Sequence, residues 1–416
     1  MLNTFRALRS RNYALYFGGQ SFSMIGTWMQ RTAVSWVIYT MTHSPFMLGV
    51  SMFAQQFPSF LFSLYGGVVA DRYNRYKLLL LTQIASMIQA VLLTVLVMSN
   101  HHSVFSILSL SVILGIINAF DVPVRQPMVH ELVTDKNDLP NAVALNSMMV
   151  NLARLVGPAL SGIILQQFGA GICFLSNAVS FLFVLTSLLL MKLPAYTPKL
   201  QKKKTSSEMA EGIRYINRTP MLKMALVLLA LISLFVLPYE TLIPIFAKEV
   251  FSGDAATFGY IRSFMGLGAV GCTLMLASLK KGTDLIKVLM VNMIVLGTGL
   301  ICFSQIDYFP LAMLFATVSG FGAMSSTICL TLIQVHSDAQ MRGRVMGFMA
   351  MAFFGMLPMG GLLIGSVSEK VGAPSALLCQ GVVAIIIALL FSKFLMKDKK
   401  VDEQIKEQDT VDVEVV

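Results

Sequence analysis

Apolar residues along this chain do not alternate with polar ones. They continue for about twenty residues or more at a stretch, long enough to cross a hydrocarbon layer about 30 Å thick. In lipid every backbone N–H and C=O must find its partner inside the segment, so each run predicts a helix. A membrane barrel would need short alternating segments, which these runs lack. The interruptions carry turn and charge signals, such as "THSP" at 42–45, "SNHHS" at 99–103 and "SQIDYFP" at 304–310. They delimit twelve expected spans: 13–40, 45–70, 77–99, 103–122, 139–165, 171–191, 221–247, 255–279, 286–304, 309–334, 343–368 and 374–396. One interruption is far longer than the rest. Residues 192–220 form a basic linker that divides the spans six and six, and from Ser206 the linker has the pattern of an amphipathic helix lying on a membrane surface. The expected organisation is a helical bundle over 1–191, the linker, a second bundle over 221–396 and a disordered tail over 397–416.

Composition supports lipid as the solvent. Only 12% of the residues are charged and 56% are hydrophobic, against roughly 25% charged in an ordinary soluble domain. The net charge of +10 would suggest nucleic acid if the basic residues were scattered. They are not: with an even number of spans, 26 of the 31 Lys and Arg residues fall on the side that holds both termini. Lys248 and Lys370 fall on the other side, and Arg31, Arg154 and Arg262 lie within spans. The positive-inside rule makes the basic side, with both termini, cytoplasmic, and this asymmetry accounts for the net charge with no need for nucleic acid. The first run, Tyr13 to Thr40, is too long for the core of a cleaved signal and reads as a span. Cys173, Cys272, Cys302, Cys329 and Cys379 are scattered through apolar runs without metal-ligand spacing and read as buried thiols. There is no nucleotide-binding loop and no enzyme motif, so no catalytic residue, cofactor or metal is expected, and energy should come from an ion gradient.

The loop after the second span narrows the class. "GGVVADRYNRYK" at 66–77 resembles the signature loop of the major facilitator superfamily, with Gly67, Asp71, Arg72, Arg75 and Lys77 at matching positions. Asn74 stands where that loop usually has Gly, and Asn tolerates a left-handed backbone. The resemblance implies an all-α membrane protein of twelve transmembrane helices in two six-helix bundles, related as parallel repeats and working by alternating access. It also implies a gate. Gly67 would let another helix approach closely, and Asp71, Arg72 and Arg75 would latch one face through helix dipoles or an arginine pair across the halves. "FDVPVRQPMVHELV" (120–133), "NAVALNSMMVNLARLVGPALSG" (141–162), "GTWMQRTAVSWVIY" (26–39) and "RGRVMG" (342–347) resemble the branch that contains enterobactin and other siderophore exporters and macrolide-type drug efflux proteins. "GPALSG" at 157–162 resembles a shortened antiporter motif, and it equally suits close helix packing by small residues.

Charges inside spans are the candidate chemistry. An arginine facing lipid costs roughly 2.5–3.5 kcal/mol or more, so such residues face water, partners or substrate. Thr27, Arg31 and Ser35 recur every four residues and share a face, with Gln20, Ser23 and Gln30 near it. Trp28, three residues before Arg31, can lie against the guanidinium. In the resembling transporters span 1 borders the central cavity, so Thr27, Trp28, Gln30 and Arg31 are expected to touch substrate. The alternative for Arg31 is to reach the outer interface along its own stem. Arg154, with Asn151 one turn earlier, either binds substrate or pairs with an acid, and Arg262 is expected at the outer interface.

Two acids are candidates for proton coupling. Glu240 lies between Pro238 and Pro244, where a broken helix would free backbone groups. Asp121 precedes Arg125 by four residues, a spacing that favours a local ion pair. Mid-span charge is mostly guanidinium, and forked N–H donors suit carboxylate or catecholate ligands. The expected function is export of a small anionic metabolite, foremost a siderophore, by proton antiport. An efflux pump for neutral amphipathic drugs and a siderophore importer are the alternatives.

Overall fold

In the computed structural model the described residues are 5–192, 205–280, 282–338 and 341–392. Among them all regular structure is helical. The first half holds α1 (Arg11–Thr42), α2 (Pro45–Arg72), α3 (Arg75–Met98), α4 (Val104–Leu132) and α5 (Leu139–Leu189). The linker contributes α6 (Thr205–Arg218). The second half holds α7 (Pro220–Phe235), α8 (Ile243–Ile245), α9 (Ala255–Ala277), α10 (Leu285–Ser304), α11 (Phe309–Gly322), α12 (Ser325–Val335), α13 (Arg342–Val371) and α14 (Ala373–Ser392). Every expected span falls largely on helical backbone, the last as far as Ser392, with breaks inside 221–247 and 309–334. Nine of the described helical stretches are long and apolar enough to cross a membrane, with Pro220–Val250 and Phe309–Val335 each counted as one. α5 counts once among them although it bends at Gly169, whose φ of 80° is open to glycine and strained for other residues. α1 and α2 have the length, at 32 and 28 residues, but carry more polar side chains.

Local chemistry sets the helix ends. Ser44, Ser103 and Asp254 cap α2, α4 and α9 by accepting backbone N–H groups with their side chains, and Pro45 opens α2. Asn74 takes the same role for α3: its side chain accepts the Lys77 N–H and its φ is −63°, so the left-handed backbone expected there is not used. α6 begins one residue before the predicted amphipathic stretch and seats on the second half, where Glu211 pairs with Arg344 at 2.7 Å and the Tyr215 hydroxyl accepts the Asp338 N–H. Residues 193–204 of the linker and the tail expected at 397–416 lie outside the described residues.

Large apolar side chains such as Leu92, Val95, Leu274 and Leu389 are exposed on the bundle's outer face, as a surface that meets lipid requires. Cys173, Cys272 and Cys329 are buried as expected, whereas Cys379 is exposed on this outer face and Cys302 is half-buried.

The two halves meet along two seams, α5 against α9 and α2 against α13. Glycine allows the first seam to be this close. A Cβ on Gly162 would stand 2.9 Å from the Gly259 Cα and 2.7 Å from the Ala255 carbonyl oxygen, and one on Gly259 would stand 2.7 Å from the Pro158 carbonyl oxygen. "GPALSG" therefore works here as a packing surface between halves.

Candidate functional site

Two helix breaks in the second half shape the centre of the molecule. After α7 the chain passes through a 3-10 turn over Leu237–Leu242, the short α8 and a π-turn over Phe246–Val250. Pro238 lacks an N–H and cannot continue the α7 ladder. Gln380 of α14 donates to two carbonyls beside it, those of Phe235 and Val236 at 3.3 and 3.4 Å. The second break separates α11 from α12 in a run of small residues, where Asn292 of α10 donates to the Phe321 carbonyl and accepts from Ser325. Broken helices of this kind are tolerated in membranes where they border a cavity.

Such a cavity, of about 250 Å³, lies between the halves. Trp28, Arg31 and Ser35 of α1, Met52, Gln55 and Gln56 of α2 and Arg154 of α5 line it from the first half. Tyr239, Glu240 and Thr241 of the first break, Arg262 of α9, Ser326 of α12 and Phe353 and Phe354 of α13 line it from the second. Glu240 bridges two arginines: one carboxylate oxygen accepts from Arg154 at 2.8 Å, the other from Arg262 at 2.6 Å. The bridge ties the first half to the second in mid-span. Arg31 has no carboxylate partner and no side-chain hydrogen bond among the described residues. Its guanidinium lies 5.4 Å from the centre of the Trp28 ring, and Arg154 lies 5.8 Å from the same ring.

The structure brings together Arg31, Trp28, Arg154 and Glu240 as one site. It leaves others out. Gln30 is turned into the first bundle, donating to Gln89 at 3.0 Å and accepting from Asn177 at 2.7 Å, because one residue along a helix rotates a side chain by about 100°. Thr27 bonds its own helix at the Ser23 carbonyl and, like Asn151, is not among the lining residues. Arg262 departs from its expected interfacial place, since it reaches inward from α9 to Glu240. Gln55, Gln56, Phe353 and Phe354 carried no charge signal to single them out.

Asp121 lies away from the cavity. It pairs with Arg125 one turn on and accepts from Thr82 at 2.9 Å and Gln83 at 2.8 Å, all inside the first bundle. Of the expected gate loop, the described ion pair stays within the first half. Arg75 pairs with Glu131 of α4 at 2.6 Å and Arg72 is exposed. Gly67 has open space beside it, and its neighbour Gly66 is the residue that abuts α4 at Ala119. Asp71 sits in the last turn of α2, with its side chain outside what the structure describes.

The described polar contacts between halves gather at mid-span and at the end remote from the α2–α3 loop. At that distal end three carboxylates of the second half accept from neutral donors of the first. Tyr39 donates to Glu249, and Gln166 to Asp254. The Ser44 hydroxyl and the Phe46 N–H both donate to Glu369, at 3.0 and 3.1 Å.

Over residues 2–415 the sequence matches the family described as "Transmembrane secretion effector". The chain belongs to that family, within the major facilitator superfamily. It is 26% identical to the staphyloferrin A transporter of Staphylococcus aureus over 90% of this chain and 94% of that protein. It is 25% identical to the enterobactin exporter EntS of Salmonella typhi over 94% of this chain and 92% of that protein. In fold it is similar to a POT family transporter solved with 5-aminolevulinic acid, with a TM-score of 0.75 at 15% identity over 93% of this chain and 96% of that one. It is likewise similar to the nucleoside transporter NupG, with a TM-score of 0.71 over 92% of this chain and 98% of that one. Family and relatives are transporters rather than enzymes, so this secretion-effector chain is a multi-pass transporter whose ligand is a small molecule.

Proposed function

We propose that this transporter exports a small anionic metabolite of the siderophore class across the bacterial cytoplasmic membrane, with both termini in the cytoplasm, by alternating access coupled to proton antiport. The observation that carries the reading is Arg31, a guanidinium held against Trp28 at the wall of a central cavity with no carboxylate of its own. A charge so placed is costly unless an anion or water meets it. Carboxylate and catecholate oxygens match its forked donors. The names of the relatives, a staphyloferrin A transporter and an enterobactin exporter, support the siderophore class. The contacts at the distal end support a cavity that faces the cytoplasm in this conformation, which is where an exporter loads. Glu240 is the proposed coupling carboxyl because it shares the cavity with Arg31. Asp121 has its partners inside one bundle, and its proposed part is to hold that bundle together.

The test is siderophore activity in the medium of iron-starved cells with and without the gene. Deletion is expected to abolish most of that activity. The wild-type gene should restore it, and Arg31→Gln should not, although it reaches the membrane in equal amount. Secretion that is unchanged by the deletion rejects export of a siderophore.

A further inference from the structure

The charge count of the cavity bears on what enters it. Among the described residues three guanidiniums line it, Arg31 from α1, Arg154 from α5 and Arg262 from α9, together with one carboxylate, Glu240. Three positive charges against one negative leave an excess of two. Glu240 uses one oxygen for Arg154 at 2.8 Å and the other for Arg262 at 2.6 Å, so it occupies a single donor nitrogen on each. A guanidinium carries five N–H donors, so both arginines keep donors to offer, and Arg31 keeps all of its own. Trp28 lies against Arg31 and Arg154 alike, at 5.4 and 5.8 Å, and fixes where these two charges stand. Charge enclosed among membrane helices is costly when uncompensated, whichever its sign. A bound monoanion leaves one positive charge behind, and a trianion adds a negative one.

We propose that Glu240 is the specificity-determining residue that sets the ligand's charge at two, so that the site takes a dianion, with one carboxylate on Arg31 and the other on the free donors of Arg154 and Arg262. This rests on the anion-site reading above and adds to it a count that substitutions can change. Removing the Glu240 charge raises the excess to three. Removing Arg262 lowers it to one. Removing both returns it to two with the bridge gone.

The chain has two tryptophans, Trp28 in the cavity and Trp36, which stacks on Phe258 with ring centres 5.7 Å apart. In the Trp36→Phe full-length protein, reconstituted in nanodiscs of zwitterionic lipid, Trp28 alone reports on the cavity. The probes are acetate, succinate and tricarballylate at pH 7.5 and fixed ionic strength, read by fluorescence titration. Succinate is expected to bind at least tenfold tighter than either of the others. In Glu240→Gln the preference moves to tricarballylate, and in Arg262→Gln it moves to acetate. In the double variant it returns to succinate. That return is the readout a merely structural Glu240 would not give, and it stands even if Glu240→Gln alone fails to fold. The same order of probes in every folded variant overturns the charge rule and leaves the anion site intact. Titrations that Arg31→Gln leaves unchanged, or that show no binding of any probe, overturn the anion site and the rule together.

Discussion

The Asp121–Arg125 pair and the Glu240–arginine group both set carboxylate against guanidinium within the spans, and the same chemistry does different work in them. In the first bundle Asp121 meets one arginine, Arg125, and its remaining capacity is taken by Thr82 and Gln83. One acid faces one base, all four residues come from α3 and α4, and Asp121 is 2% exposed. At the cavity one acid faces three arginines supplied by both halves, and one of the three has no carboxylate partner among the described residues. A balanced pair inside one rigid unit holds that unit together, whereas an unbalanced group between two units creates a demand for a ligand. Charge inside a membrane therefore marks function when its count fails to close and when its members move relative to one another.

Breaking the cavity group should have the larger effect on transport. Arg31→Gln is expected to lower secretion at least tenfold with little change in thermal stability, measured by melting the purified protein. Breaking the bundle pair should reverse that pattern. Asp121→Asn strands Arg125 among buried groups and is expected to cost about 3–5 kcal/mol of stability, seen as a lowered melting temperature and reduced membrane yield. Asp121→Leu combined with Arg125→Met sharpens the comparison. Removal of a balanced buried pair is often close to neutral, so the double variant should recover most of the stability that the single change loses. A smaller change is expected from Gly162→Val, which drives a side chain into the Ala255 carbonyl and prises α5 from α9. Greater labelling of cysteines placed at the distal end should report it, with secretion reduced several-fold. Thr27→Val should do least, under twofold in secretion, because its hydroxyl serves the Ser23 carbonyl of its own helix and stands outside the cavity lining.

These contrasts also show what the sequence made legible. Run length located the helical stretches because lipid thickness imposes it, and the proline pair around Glu240 located the broken segment because a missing N–H is a local fact. Arg31 was legible as a charge with nowhere else to go. Direction around a helix was harder. Gln30 and Gly67 each sit one position from a residue that does face the expected way, Arg31 and Gly66, and a step of one position is a rotation of about 100°. Arg262 was misplaced because distance along a span gives depth and says nothing of which neighbour waits there. Its partner, Glu240, lies 22 residues away across a break and a loop. The distal carboxylates were invisible for the same reason, since Tyr39 and Glu249 are 210 positions apart.

The glycine seam between α5 and α9 has a mechanical consequence. Where side chains interlock, one helix can tilt against another only by lifting knobs out of holes, and motion proceeds in jumps. Gly162 and Gly259 present backbone to backbone, with no knobs to lift. The seam is a plain bearing rather than a ratchet. If the halves rock as proposed, they roll on it through small angles at nearly constant contact, and the speed of the stroke is set by how fast the polar ties at either side of the bearing break and re-form.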